Sequence, residues 1–189
     1  MTLAAQQIDL RRRNIYNSST VKNIVLTGFM GTGKTAVGKE LSRLLDMKLI
    51  DLDTEIEKAE KMDINGIFER FGEQRFREIE TGMIRAVSRN EGVIISTGGG
   101  AVLKRENMDL LREKGIIFCL TASPETVLQR TSNTGDRPLL QVQNPLERIN
   151  ELLDLRNPCY RKADVMIDTE DKTPLQIAEE IIEKVRNRI

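Results

Sequence analysis

Residues 28–35 read GFMGTGKT, which sets Gly28, Gly33, Lys34 and Thr35 in the spacing G-x-x-x-x-G-K-[ST]. Glycines at such positions let successive backbone N–H groups curve around a polyphosphate without Cβ clashes. An apolar run, NIVLTG at 23–28, precedes the segment, and an amphipathic stretch begins near Lys34. In that strand–loop–helix setting the helix N-terminus adds unpaired donors and the positive end of its dipole. Gly31, Thr32, Gly33, Lys34, Thr35 and Ala36 are therefore the expected cradle for a nucleoside triphosphate. Lys34 would bridge the β- and γ-phosphates, and the Thr35 hydroxyl would ligate Mg²⁺. A glycine-rich turn before a structural helix is the bland alternative, and the flanking pattern weighs against it.

Acidic, glycine and arginine residues downstream supply what an acceptor site requires. KLIDLD at 48–53 is an apolar strand ending in two carboxylates. Asp51 stands where an aspartate can hold the hydration shell of Mg²⁺. Asp53 stands where it can accept a hydrogen bond from an attacking hydroxyl, although it suits a helix N-cap equally well. Gly98, Gly99 and Gly100 end the run GVIISTGGG, at the carboxyl end of a predicted strand, where open α/β sheets bind ligands. GEQRFREIE at 72–80 is predicted to be helical and carries Arg77, with Phe68, Phe71 and Phe76 assigned to the core. Arg137 and Arg156 lie in or near an irregular stretch. Taken singly, each reads as a surface arginine, yet a lid arginine closing on a transferring phosphate is a recurring device.

The elements that must position these groups follow from hydrophobic patterning. Short, nearly continuous apolar runs at 23–28, 48–52, 92–97, 115–120 and 164–168 read as strands buried on both faces, hence a parallel sheet. Charged segments of helical period lie between them. Val37, Leu41, Leu44 and Leu45 form one apolar face, and Ile79, Met83, Ile84 and Val87 form another. Pro174 ahead of Ile177, Ile181, Ile182 and Val185 marks a C-terminal helix with proline in its first turn. The alternation predicts an α/β fold with helices on both faces. Residues 131–144 (TSNTGDRPLLQVQN) break the pattern and read as a mobile loop or lid.

Composition excludes much else. The 189 residues predict one domain, and 29 basic against 29 acidic side chains with a pI near 6.4 argue against nucleic acid or an anionic membrane as main partner. The chain has no histidine, so Ser-His-Asp, Cys-His and HExxH chemistries are impossible. Cys119 and Cys159 make neither a zinc site nor a disulfide framework, as expected of reduced thiols in the cytoplasm. Residues 1–20 carry Arg11, Arg12 and Arg13 against Asp9 and lack an apolar core, so they read as a poorly ordered extension rather than a secretory signal. No apolar run reaches the ~20 residues of a membrane span. A GTP switch would need N-K-x-D, which is absent. The DING at 63–66 follows no strand and reads as a coincidental D-x-x-G. A kinase of small molecules is the natural size.

These strings together resemble one family, the shikimate kinases. GFMGTGKTAVGKEL, the DLD at 51–53, INGIFERFGEQRFREIE, STGGGAVL, RPLL and RNPCY occur in that family's order and spacing, over residues 23 to about 170. The resemblance implies an α/β, P-loop, nucleoside-monophosphate-kinase-like three-layer sandwich. Its sheet would be parallel and five-stranded, of order 2-3-1-4-5, in a single kinase domain at 21–189 with an acceptor region at about 52–90 and a lid at about 131–144. It also implies Mg²⁺-dependent transfer from ATP to the 3-hydroxyl of shikimate, a step toward chorismate and the aromatic amino acids. Asp53 would then bind the acceptor hydroxyls and act as base. Arg77 and Arg156 would clamp the acceptor carboxylate, a bidentate task suited to guanidinium. Gly98, Gly99 and Gly100 would line the same pocket, and Asp51 would lie near Mg²⁺. Arg137 would reach ATP from the lid, with Arg130 near the adenine. The sequence departs from the family pattern at Thr35, a chemical equivalent of the usual serine, and at Ala36, which lacks a hydroxyl. A monomer acting on a small molecule is expected. The rival readings are a gluconate or nucleoside monophosphate kinase, or a nucleotide-binding regulatory domain without turnover.

Overall fold

Alternation within NIVLTG sends Ile24 and Leu26 into one core and Val25 into another, as a strand covered on both faces requires. This run forms β1 (Asn23–Gly28), buried along its whole length. The computed structural model describes residues 22–132, 140 and 142–187 and places β1 in the middle of a five-stranded sheet. The other strands are β2 (Lys48–Asp51), β3 (Val93–Ser96), β4 (Gly115–Thr121) and β5 (Val165–Asp168). Every pairing is parallel and the order is β2-β3-β1-β4-β5, as the resemblance implies.

Helices α1 (Lys34–Leu45) and α7 (Pro174–Arg186) cover one face of the sheet. Val37, Leu41, Leu44 and Leu45 pack there with Ile177, Ile181, Ile182 and Val185, all eight buried. Thr173 and Gln176 close a capping box on α7, and Pro174 occupies its first turn. The opposite face holds α3 (Ile64–Val87), α4 (Arg105–Lys114), α5 (Pro124–Thr131) and α6 (Pro145–Tyr160), through residues such as Ile84, Met108, Val127 and Ile149. A short turn, Ala101–Leu103, links β3 to α4.

A third, smaller core joins α2 (Leu52–Glu60) to α3 through Ile56, Ile67 and Phe76, with Ile79 and Met83 packed against it. Helix α3 bends at Gly72, whose φ of 77° and ψ of 171° are not helical. Phe68 and Phe76 stack across the bend with ring centroids 4.5 Å apart. Phe71 is not a core residue. It is 46% exposed, ahead of the bend, with the Arg70 guanidinium 5.2 Å from its ring centre. The DING string serves structure: Asp63 caps α3 by accepting the Gly66 N–H at 2.7 Å.

Both cysteines are free thiols. Burial pushes the Cys119 thiol up to about 12, so it is inert. Among the described residues no helix is long and apolar enough to cross a membrane. The extension at 1–20 lies outside the described residues, and so do Arg137, Gly135 and Pro138 of the lid stretch. Of that stretch, Leu140 is half-buried against the second core and Val142 is exposed.

Candidate active site

The strand order reverses around β1, which lies between β3 and β4, so a crevice opens beyond the carboxyl ends of the strands. The loop after β1 lines it. Gly28 and Gly33 hold positive φ, at 133° and 91°. A Cβ on Gly28 would stand 2.2 Å from the Leu120 carbonyl oxygen, so only glycine fits. Gly33 caps α1 without any side-chain acceptor, which leaves the first-turn N–H groups for a ligand. Lys34 Nζ donates to the carbonyl oxygens of Gly28 and Phe29, both at 2.9 Å. This keeps the ammonium over the loop it would share with a phosphate.

Beside the loop the Thr35 hydroxyl donates to Asp51 Oδ2 at 3.4 Å. Strand β2 ends in extended backbone at Asp51, whose other oxygen accepts the Thr54 N–H and caps α2. The capping role open to Asp53 thus falls to Asp51, because the helix begins at Leu52, two residues earlier than that alternative needs. Asp53 turns into the crevice from the first turn of α2. Hydroxyl and carboxylate oxygens are the hard donors Mg²⁺ takes, with water and phosphate completing its shell. Among the described residues no group of three or more His, Cys, Asp or Glu is placed to hold a metal ion.

The resulting cleft measures about 370 Å³ and is lined by Gly31, Gly33, Lys34, Thr35, Ala36, Asp51, Asp53, Gly98, Gly99 and Arg130, among others. Arg130 donates to both Thr169 oxygens at 3.0 Å and to the Gly31 carbonyl at 3.5 Å, tying the phosphate loop to the segment after β5. Thr32 is an exception. It is buried, its hydroxyl donates to the Phe29 carbonyl at 2.8 Å, and it borders a separate cavity beneath the loop.

The glycines after β3 allow close approach from three directions. A Cβ on Gly98 would lie 3.0 Å from Asp53 Oδ1 and 3.2 Å from Glu80 Oε1. One on Gly100 would lie 2.5 Å from both terminal nitrogens of Arg77. The Gly99 carbonyl accepts the Tyr160 hydroxyl at 2.6 Å, which anchors α6 to this loop. Arg156, one turn earlier on α6, is only 7% exposed and lies 5.6 Å from the centre of the Phe29 ring. Its Nε has no hydrogen-bond partner among the described residues. Burial opposes the charge of Arg77, but Glu80 and Glu73 outweigh it and hold the guanidinium pKa above its ordinary value. The Glu80 carboxyl pKa is raised as well, because burial pushes it up against the opposing pull of Arg77.

Glu80 escaped the sequence reading, as did Tyr160 and Phe29. The signal for Glu80 was present: it sits in the stripe Phe76–Glu80–Ile84–Val87, a charge where the helical period demands an apolar side chain.

A family model for shikimate kinase matches residues 30–186. The chain belongs to the shikimate kinase family. A shikimate kinase of Thermodesulfovibrio yellowstonii is 53% identical over 164 residues, 87% of this chain and 95% of that relative. A second, from Caldanaerobacter subterraneus, is 49% identical over 86% of this chain and 95% of its own length. Among solved structures, the shikimate kinase of Acinetobacter baumannii in complex with shikimate superposes with a TM-score of 0.85 at 38% identity, covering 88% of this chain and 94% of that one. A gluconokinase of Sinorhizobium meliloti shares the fold alone, at 18% identity and a TM-score of 0.59.

Proposed function

We propose that this member of the shikimate kinase family transfers the γ-phosphoryl group of ATP to the 3-hydroxyl of shikimate, giving shikimate 3-phosphate and ADP. The observation that carries the reading is the convergence on Gly98–Gly100 of Asp53, from the phosphate-loop cleft, and Arg77, from α3. A carboxylate at one end of a pocket and a guanidinium at the other suit a small hydroxylated acid. A nucleoside monophosphate would need a base pocket and a phosphate clamp instead.

In this reading the first turn of α1 and the 28–35 loop bind the polyphosphate through backbone N–H groups. Lys34 exchanges its carbonyl partners for phosphate oxygens and stabilises charge as the phosphoryl group moves. Asp53 accepts a hydrogen bond from the acceptor hydroxyl, aims it at the phosphorus and takes its proton. Arg77 and Arg156 fix the acceptor carboxylate, which turns a bimolecular encounter into a held geometry. Thr35 and Asp51 would hold Mg²⁺, which when bound supplies charge neutralisation on the phosphates. Arg130 serves the nucleotide side. Arg137 is assigned to the lid by the family resemblance, and its position lies outside the described residues. A monomer in the cytoplasm completes the proposal. Phosphorus and proton NMR of the product test it: a single ester at the 3-position is expected, and phosphorylation elsewhere on the ring would refute the placement of Asp53.

A further inference from the structure

The acceptor pocket contains a carboxylate with no assigned task. Glu80 is 1% exposed, yet only one of its oxygens is paired: Oε2 accepts from Arg77 Nη1 at 2.9 Å. Oε1 has no hydrogen-bond partner among the described residues and is aimed at Gly98. Charged groups face it from each helix packed against it. Arg77 lies one turn away on α3 and is braced from its far side by the exposed Glu73; Asp53 comes from α2 and Arg156 from α6. Lys104, at the start of α4, is spent on Thr81 and Glu106 instead. Inside the site two guanidinium groups stand against the carboxylates of Glu80 and Asp53, a balance that leaves out Glu73, which is 66% exposed and screened by solvent on the far side of Arg77.

An acceptor that binds through its own carboxylate upsets this balance. It brings a third negative charge onto Arg77 and Arg156, in a site sealed from water on the Glu80 side, where like charges repel strongly. Glu80, 1% exposed, is the carboxylate of the site on which burial opposes charge. Glu80 also has an oxygen available for a proton. Protonation at Oε1 leaves the Arg77 bond at Oε2 intact and turns an unpaired acceptor into a donor directed toward Gly98.

We propose that Glu80 takes up one proton from solvent as an acceptor carboxylate docks on Arg77 and Arg156, and returns it when the product leaves. Glu80 is thus a positioning residue that acts on the acceptor through Arg77. The inference rests on the acceptor assignment above. Burial already raises the Glu80 carboxyl above its ordinary value in the free protein, and the incoming anion raises it further. Acceptor binding is then strongest at low pH. Its Kd rises with pH between the free and bound pKa values of Glu80, by up to about tenfold per pH unit for one linked proton.

The test is calorimetric titration of shikimate into the full-length protein across pH 5.5 to 8.5, on the order of three units, in buffers of different ionisation heat. Net proton uptake approaching one per site is expected, with Kd rising alongside it. Glu80→Gln, a mimic of the neutral acid, should bind shikimate within about tenfold of the parent, with no uptake and a flat Kd. Infrared difference spectra of the unaltered protein should gain the carbonyl stretch of a protonated carboxylic acid when shikimate binds, a readout that stands even if the variant does not fold. Binding without proton uptake, uptake that persists in Glu80→Gln, or absence of the infrared band would overturn the inference while leaving the acceptor assignment standing. Failure of shikimate to bind at all would remove both.

Discussion

Arg77 and Gly100 pack so closely that a methyl group on the glycine would stand 2.5 Å from both terminal guanidinium nitrogens. Arg77 arrives from α3, held by Glu73 and Glu80, whereas Gly100 closes the loop at the end of β3. A helix outside the phosphate-loop motif and a loop at the carboxyl end of an inner strand thus set the acceptor side together.

Gly100→Ala should therefore impair the acceptor and spare the nucleotide. Displacing Arg77 is expected to raise KM for shikimate about tenfold or more, equivalent to ~1.4 kcal/mol, with KM for ATP nearly unchanged. Steady-state kinetics with each substrate varied in turn will check this. Parallel losses would mean that Arg77 does not serve the acceptor.

Removing either clamp arginine should cost more. Arg156→Ala or Arg77→Ala is expected to weaken shikimate binding by about 2–5 kcal/mol, because a desolvated carboxylate loses its charged partner. Titration of both ligands onto Arg156→Ala should show ATP affinity much less affected; equal weakening would place the pocket elsewhere.

Lys34→Met should lower kcat by at least ~10²-fold, the range for a group that stabilises developing charge. The loop conformation does not depend on the ammonium alone, since Thr32 also holds the Phe29 carbonyl. A folded variant is expected, and near-normal turnover in it would contradict the phosphate-loop assignment.

Glu80 also makes a prediction about stability. Its carboxyl pKa is raised on folding, so its contribution is fully present below the ordinary carboxyl value and is lost as pH rises through the folded value. Urea unfolding of the parent and Glu80→Gln should show the variant gaining relative stability across that window. A difference that stays constant with pH would mean that Glu80 titrates alike in folded and unfolded chains.

The parts legible in sequence were those encoded locally. Both-face burial writes β1, β3 and β4 as unbroken apolar runs, and each expected strand boundary agrees with the structure to within one residue. The 28–35 loop is a contiguous motif whose strand and helix stand on either side of it. Glu80 was marked in sequence only as a charge within an apolar stripe; its place beside Asp53 and Arg156, which come from α2 and α6, is set by tertiary packing that the sequence does not show. The capping of α2 turned on where β2 stops, at Asp51 rather than beyond it, a boundary that apolar patterning does not resolve. Phe71 misled because helical period alone does not foresee the bend at Gly72 that leaves it outside.

The central claim is a matter of acceptor choice, and a coupled ADP-release assay addresses it most directly. With ATP and Mg²⁺, shikimate should give turnover at least ~10³-fold above that with gluconate or any nucleoside monophosphate, since a site built on paired charges rejects ligands that leave them unpaired. Comparable turnover with one of those acceptors, or ADP release that does not depend on shikimate, would contradict the account.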